Sequence, residues 1–139
     1  VEVRYEEVDV DNSELIIVAF GTAARVAQSA MKKLRSQGYP VGLHRPISLW
    51  PFPSERLCQL SRHAKRFLVV EMNAGQMVQD VRASVGVDFP VDFVGRMGGA
   101  IPMPDEIEQE ARRILGDHAA DISAQIHRST TRNGQPSNA

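Results

Sequence analysis

The chain has 139 residues, of which 42% are hydrophobic and 24% charged, and its formal net charge is −1. This composition indicates a soluble globular domain, and the small net charge gives no basic excess of the kind that nucleic-acid binding requires. The only cysteine, Cys58, excludes an internal disulfide bond and cannot by itself hold an iron–sulfur cluster or a structural zinc ion. No apolar run reaches the length of a membrane span, so we expect a cytoplasmic protein with no membrane partner.

Apolar runs and alternating patterns predict five strands. Residues 1–10 alternate between apolar and polar side chains, which is typical of a half-exposed edge strand or an extended lead-in. The runs at 15–20 and 67–70 contain only apolar residues, as strands buried on both faces of a parallel sheet do. We therefore expect 67–70 to be a central strand. Shorter segments at 41–43 and 91–94 complete the set.

Helical spacing of apolar residues follows each strand after the first. The predicted helices begin close to Thr22, Ser54, Gln76 and Asp105. Thr22 is placed to cap the first helix, and Cys58 is expected to be a buried, inert thiol on the second. Alternating strands and helices predict an α/β fold with right-handed crossovers, a mostly parallel sheet and helices on both faces.

Polar residues at the predicted strand ends are the first candidates for a site. Glu71 and Asn73 follow one buried strand, and Arg45 follows the strand at 41–43. Ligands and partners of open α/β sheets gather at the carboxyl ends of the strands. Glu71 and Asn73 therefore either form such a surface or cap the next helix. Arg45 either binds an anion or forms a structural salt bridge, for example with Glu71.

Three loops carry further candidates, each with a structural alternative. Gly21 and Thr22 form either an anion-binding turn at a helix start or a simple capped turn, and no dinucleotide-binding or P-loop motif accompanies them. Within 44–53, three prolines oppose helix and ladder pairing, and Trp50 is either an interface anchor or folded over the core. Glycines and prolines surround Arg96 in 95–104, which indicates either close backbone approach or a structured connection.

The residues alone support no catalytic constellation. The four histidines show no metal-ligand spacing, and neither a Ser/His/Asp arrangement nor a pair of carboxylates can be supported from the spacings. The residues therefore predict an α/β domain that presents a polar surface at its strand ends, without visible catalytic machinery.

Four motifs, in this order, resemble the α subunit of 2-oxoacid:ferredoxin oxidoreductases, nearest to the 2-oxoglutarate (or branched-chain 2-oxoacid) branch. They are AFGTAAR at 19–25, GLHRPISLWPFP at 42–53, VEMNAGQMVQD at 70–80 and GRMGGAIPMP at 95–104. The matching part is that subunit's C-terminal domain, a transketolase C-terminal-like fold. The resemblance implies a three-layer α/β/α sandwich with a five-stranded, mostly parallel sheet and one antiparallel edge strand.

The resemblance also implies a function for the parent complex. Family enzymes oxidatively decarboxylate a 2-oxoacid with coenzyme A to an acyl-CoA and reduce ferredoxin, using thiamine diphosphate, magnesium and iron–sulfur clusters. Other domains and subunits bind those cofactors, so we expect no cofactor and no catalytic residue in this domain, and no activity in isolation. The implied partners are a preceding pyrimidine-binding domain, a β subunit and, through the complex, ferredoxin. The isolated domain is also open to pairing as a homodimer.

The motifs and the strand ends together define a candidate interface or ligand surface. It comprises Gly21, Thr22, Arg45, Pro46, Trp50, Glu71, Asn73, Gln76, Met77, Arg96, Gly98 and Gly99. The first hypothesis is a structural and assembly domain. The alternative is a non-catalytic module that binds an anion, coenzyme A or a nucleotide; a stand-alone enzyme lacks a supporting constellation.

We divide the chain into three parts. Residues 1–13 are an edge strand or linker from a preceding domain, and residues 14–116 are the transketolase C-terminal-like domain. Residues 117–139 are a weak helix followed by a polar tail. The start at Val1 and the polar end suggest a piece of something larger.

Overall fold

The computed structural model of the chain describes residues 3–47, 51–72, 76–95 and 102–116. The strands are β1 (Tyr5–Val8), β2 (Leu15–Ala19), β3 (Val41–Pro46), β4 (Arg66–Glu71) and β5 (Val91–Gly95). The helices are α1 (Thr22–Ser36), α2 (Ser54–Leu60), α3 (Gln76–Ser84) and α4 (104–116), and a short 3₁₀ turn, Val10–Asn12, joins β1 to β2. Among the described residues, no helix is long and apolar enough to cross a membrane.

The five strands form one sheet in the order β1-β3-β2-β4-β5. The strand β1 runs antiparallel to β3 at one edge, and all other neighbours are parallel. This confirms the predicted mostly parallel sheet with one antiparallel edge strand. The middle of the sheet is β2, however, and β4 is an interior strand between β2 and β5, so the prediction that 67–70 is central is only approximately right.

Two apolar layers, one on each face of the sheet, hold the sandwich together. Alternate residues of β2 point to opposite faces, so Leu15 and Ile17 pack against α1 and α4, whereas Ile16 and Val18 pack against α2 and α3. Every residue of β2 is fully buried. The three-layer α/β/α prediction is therefore confirmed, because an all-apolar strand is stable only when helices cover both of its sides.

The strand β3 is longer than predicted, since it continues through Pro46. The N–H of Ile47 donates to the carbonyl of Arg4 at 2.9 Å, so pairing with β1 extends past the proline. The proline is tolerated because its missing N–H falls on the side of β3 that faces β2, and the pairing with β2 ends earlier, at His44 opposite Val18. The expectation that the prolines prevent ladder pairing was wrong at this position.

Two local predictions need correction. Thr22 begins α1 instead of capping it; the capping position is Gly21, whose φ of 66° suits glycine, and no side chain caps the helix. The Thr22 hydroxyl donates to Met72 Sδ at 3.1 Å. Cys58 is half-buried, because Leu57 and Leu60 occupy the buried side of α2.

Gly42 provides a test of the packing between β3 and the 3₁₀ turn. A Cβ atom at Gly42 would lie 2.6 Å from Ser13 Oγ and 2.8 Å from the Asp9 carbonyl oxygen. We expect Gly42→Ala to lower the free energy of unfolding by about 1–3 kcal/mol in urea denaturation, because the backbone of Asp9 must move. Gly86→Ala is the control, since nothing lies within 4 Å of its Cβ position. Equal losses in the two variants would contradict this account.

Candidate functional site

The carboxyl ends of the parallel strands lie at one end of the sheet, which we call the carboxyl-end face. Its described residues are 20–22, 45–47, 71–72 and 102–103, together with 3–5, because β1 is antiparallel and its Tyr5 pairs with Pro46. The helices α1, α3 and α4 begin at this face, as helices that follow parallel strands do. The candidates Gly21, Thr22, Arg45 and Pro46 therefore lie on one face.

Glu71 acts inside this face as a cap for α3. Its Oε2 and Oε1 accept the N–H of Met77 at 2.8 and 3.2 Å, and only 8% of Glu71 is exposed. A carboxylate there satisfies a free helix N–H and complements the positive end of the helix dipole. Met77 is itself buried among the apolar residues beneath α3. Of the two interpretations of Glu71, the geometry supports helix capping. Glu71 and Met77 are both buried, so neither offers much surface to another molecule.

Arg45 pairs with a different carboxylate from the one suggested by the sequence. Its Nη1 lies 3.2 Å from Oε1 of Glu6, the residue directly opposite on β1. Glu71 is on β4, and β2 separates that strand from β3, which puts the two backbones about 10 Å apart. A salt bridge to Glu71 is therefore wrong. The Nε of Arg45 is buried and has no hydrogen-bond partner among the described residues.

Apolar side chains are exposed mainly at the carboxyl-end face. In the described part of the chain, the exposed large hydrophobic residues are Val3 (43%), Tyr5 (40%), Phe20 (39%), Val87 (101%) and Met103 (58%). All but Val87 lie at the carboxyl-end face, whereas Val87 lies in the turn before β5, at the opposite end. A concentration of exposed apolar side chains at one end is typical of a surface that packs against another domain.

Several predicted site residues fall outside the described part of the structure. They are Trp50, Asn73, Arg96, Gly98 and Gly99. Gln76 is the first residue of α3. The predicted weak helix and tail, 117–139, also lie outside the described residues.

A half-buried ionic network beside the face was missed by the sequence reasoning. Arg56 on α2 donates through Nε and Nη2 to the two carboxylate oxygens of Glu7, at 2.9 and 2.8 Å. His44 Nδ1 lies 2.8 Å from Glu7 Oε2, and the imidazole is fully buried. The signal that could have found this network is Glu7 itself, because it places a carboxylate on the side of the first strand where Val3 and Tyr5 lie.

The surroundings of Glu7 strongly favour its charged form. Burial alone would raise the pKa of Glu7. The hydrogen bonds that His44 and Arg56 donate to the carboxylate, together with their electrostatic attraction to it, outweigh burial and lower the pKa of Glu7 to about 2. The same hydrogen bond raises the pKa of Arg56. An ionised Glu7 can only accept hydrogen bonds, so His44 Nδ1 is the donor in their contact. Its Nε2 has no hydrogen-bond partner among the described residues.

The described residues hold no group of three or more His, Cys, Asp or Glu side chains that could bind a metal ion. Neither Cys58 nor the Glu7 network supplies a set of ligands for an iron–sulfur cluster or for the magnesium ion of thiamine diphosphate. We therefore derive no chemical step through such groups from these residues.

The fold of this domain is shared by parts of larger solved structures. The fold superposes on 2-oxoglutarate:ferredoxin oxidoreductase from Magnetococcus marinus with a TM-score of 0.68 at 24% identity, over 81% of this chain and 19% of that one. A split-gene transketolase gives a TM-score of 0.67 at 20% identity, over 81% of this chain and 41% of that one. At these identities the likeness is one of fold.

Sequence similarity then identifies the family. Residues 13–107 match pyruvate:ferredoxin oxidoreductase core domain II, and the chain belongs to this family. It is 45% identical to ketoisovalerate oxidoreductase subunit VorB of Methanothermobacter thermautotrophicus over 84% of this chain and 33% of the relative. It is 32% identical to 2-oxoglutarate synthase subunit KorA of Methanothermobacter marburgensis over 76% of this chain and 28% of the relative. The chain thus spans about a third of the length of these curated relatives.

The network around Glu7 predicts a specific pH dependence. Because the folded pKa of about 2 is below the ordinary value of 4.5, ionised Glu7 stabilises the fold fully above about pH 4.5, and this contribution is lost as the pH falls towards 2. We expect Glu7→Gln to cost on the order of 2–3 kcal/mol near pH 6, with a smaller difference from the wild type at each step below pH 4.5. Urea denaturation across this range measures it. Glu6→Gln, at the exposed neighbouring position, is the control; a pH-independent cost at Glu7 would contradict the assignment.

The cap at α3 predicts that Glu71 matters to the fold itself. We expect Glu71→Ala to lower the free energy of unfolding by about 1–2 kcal/mol, because the N–H of Met77 loses its acceptor and the helix dipole its counter-charge. Glu71→Gln retains an acceptor and should lose less. Thermal unfolding of both variants tests this, and an unchanged Glu71→Ala would rule the cap out as a source of stability.

Proposed function

We propose that this chain is the assembly domain of a 2-oxoacid:ferredoxin oxidoreductase subunit, and that its carboxyl-end face packs against partner domains. The observation that supports the proposal is the gathering of Val3, Tyr5, Phe20 and Met103 at that face. Apolar side chains exposed together lose contact with water when a second surface covers them. The family to which the chain belongs supplies the setting, and the described residues supply no catalytic constellation.

The partners follow from the family. We propose that a pyrimidine-binding domain precedes this one in the same subunit, and that a β subunit completes the complex. The complex would oxidatively decarboxylate a 2-oxoacid with coenzyme A and reduce ferredoxin. Thiamine diphosphate, magnesium and iron–sulfur clusters would supply that chemistry in the other domains. A cytoplasmic location accords with the single cysteine, since reduced thiols are usual there.

The substrate proposal rests on how similar the chain is to relatives with different named substrates. The ketoisovalerate relative is 45% identical to the chain and the 2-oxoglutarate synthase relative 32%. We therefore place a branched-chain 2-oxoacid first and 2-oxoglutarate, the sequence expectation, second. A dye-reduction assay of the full complex with coenzyme A separates them: a higher kcat/KM for 2-oxoglutarate than for ketoisovalerate would reverse this order.

The second candidate function is a module that binds an anion, coenzyme A or a nucleotide. The start of α1 favours it, since this helix has neither a side-chain cap nor an acidic residue in its first turn. Against it, Arg45 is already paired with Glu6. Titration of the 139-residue chain with coenzyme A, followed by calorimetry, distinguishes the two, because an assembly domain should bind none.

The assembly proposal is tested by charged substitutions at the face. We expect Phe20→Asp and Met103→Asp in the full-length subunit each to weaken association with the β subunit by about ten-fold or more, because a buried carboxylate without a partner is costly. Co-purification and size-exclusion chromatography measure it.

Val87→Asp is the matched control, since Val87 is exposed at the opposite end of the sheet. Thermal unfolding of each variant of the 139-residue chain separates a folding defect from an assembly defect. Complexes that form equally well with all three variants would show that the carboxyl-end face is not the assembly surface.

A further inference from the structure

A groove runs along the edge of the domain between β1 and α2. It has a volume of about 380 Å³ and opens at the carboxyl-end face. Its lining residues include Val3, Tyr5, Phe52, Glu55, Arg56 and Gln59. The groove is thus continuous with the face that we propose as the assembly surface, because Val3 and Tyr5 belong to both.

Tyr5 forms an aromatic wall of this groove and is held in place from below. Its ring centroid lies 5.1 Å from that of His44, and the two rings are tilted by 32°. His44 is fully buried and bonded to Glu7, which the fork from Arg56 holds in turn. Tyr5 is 40% exposed, and the other side of its ring is held by the contact with His44. Phe52, half-buried, adds a second aromatic side chain to the lining.

One carboxylate in the lining of the groove, Glu55, has no counter-charge among the described residues. Arg56 is the only cation among the lining residues, and both carboxylate oxygens of Glu7 engage it. Glu55 is exposed and forms no ion pair with any described residue. The negative charge of Asp11 contributes to the raised pKa of Arg56. Arg4 lies on the opposite side of β1, because alternate residues of a strand point to opposite faces. Glu55 is therefore a carboxylate available to a second molecule.

We propose that this groove binds an arginine side chain of a partner polypeptide. A guanidinium group is planar, stacks on aromatic rings and pairs with carboxylates through parallel N–H donors, so it matches both the Tyr5 ring and the Glu55 carboxylate. The apolar stem of the arginine would lie along Val3 and Phe52. The inference rests on the proposed function, since it names the chemistry that a partner presents at this end of the domain.

The experiment titrates N-acetyl-arginine-N-methylamide into the 139-residue chain and follows backbone and side-chain resonances by NMR. The matched probe is the citrulline analogue, which keeps the shape of the side chain and removes its charge. We expect the arginine probe to bind at least three-fold more tightly, with the largest shifts at Tyr5, Glu55 and Gln59. Equal affinities for the two probes, or shifts centred elsewhere, would overturn the proposal.

Variants identify the two contacts. We expect Glu55→Gln to weaken binding of the arginine probe by about two- to five-fold, the range for an exposed ion pair. Tyr5→Leu should weaken it by a similar factor, while Tyr5→Phe should bind as the wild type does, because the ring face is retained. Asp88→Asn is the control for lost negative charge, since this exposed residue lies at the other end of the sheet. Unchanged binding in Glu55→Gln would overturn the pairing.

The outcome is independent of the assembly test. The titration uses this chain alone, whereas the assembly experiment uses the full-length subunit with substitutions at Phe20 and Met103. If the groove does not prefer the arginine probe, the assembly proposal still stands. If the substitutions at Phe20 and Met103 leave the complex unaffected, the titration result still stands.

Discussion

Burial of β2 on both faces is the constraint on which the rest of the structure depends. All five of its residues are fully buried, so helices must cover the sheet from both sides. Parallel neighbours on each side of β2 then require crossover helices, and because β2 to β5 run in the same direction, their carboxyl ends lie at the same end of the sheet. The carboxyl-end face, with its turns and helix starts, is a consequence of this arrangement.

The carboxyl-end face contains a buried polar residue that holds a helix start and, beside it, exposed apolar side chains. Glu71, the most conspicuous polar residue there, is used within the domain, where it holds the start of α3. The surface left for another molecule consists largely of Phe20, Met103 and the first residues of the β1 edge. Methionine adapts to irregular neighbours, which suits a surface that packs against a domain of different shape. The function that we propose for this face is association, and the residues that would serve it are apolar.

The β1 edge is tied to the body of the domain by charge. A half-buried carboxylate beside α2 is tolerated because Glu7 has both a bidentate guanidinium and an imidazole as partners. An inward-pointing charge also protects a short edge strand from pairing with other chains. The same network fixes Tyr5 through His44, so one set of contacts stabilises the edge and shapes the groove beside it.

Much of the fold could be predicted from local pattern. The apolar runs at 15–20 and 67–70, the glycine at position 21 and the helical spacing that follows identify strands, a turn and crossovers, because burial and backbone freedom leave their mark on neighbouring residues. Four short motifs also sufficed to identify the family. The described candidates Gly21, Thr22, Arg45 and Pro46 lie at the strand ends for the same reason, since strand order does not alter which end of a parallel sheet the loops occupy.

Strand order decided the remaining features, and no local pattern encodes it. Glu71 cannot reach Arg45 because β2 lies between their strands, and Pro46 remains in β3 because pairing with β2 has already ended there. Glu7, His44 and Arg56 lie far apart in the chain, and each is unremarkable alone. Only the antiparallel register of β1 against β3, with α2 packed over both, brings them together. The sequence by itself determined which segments are buried and where the strands end; the tertiary structure decided which side chains meet, because contact depends on sheet order and register.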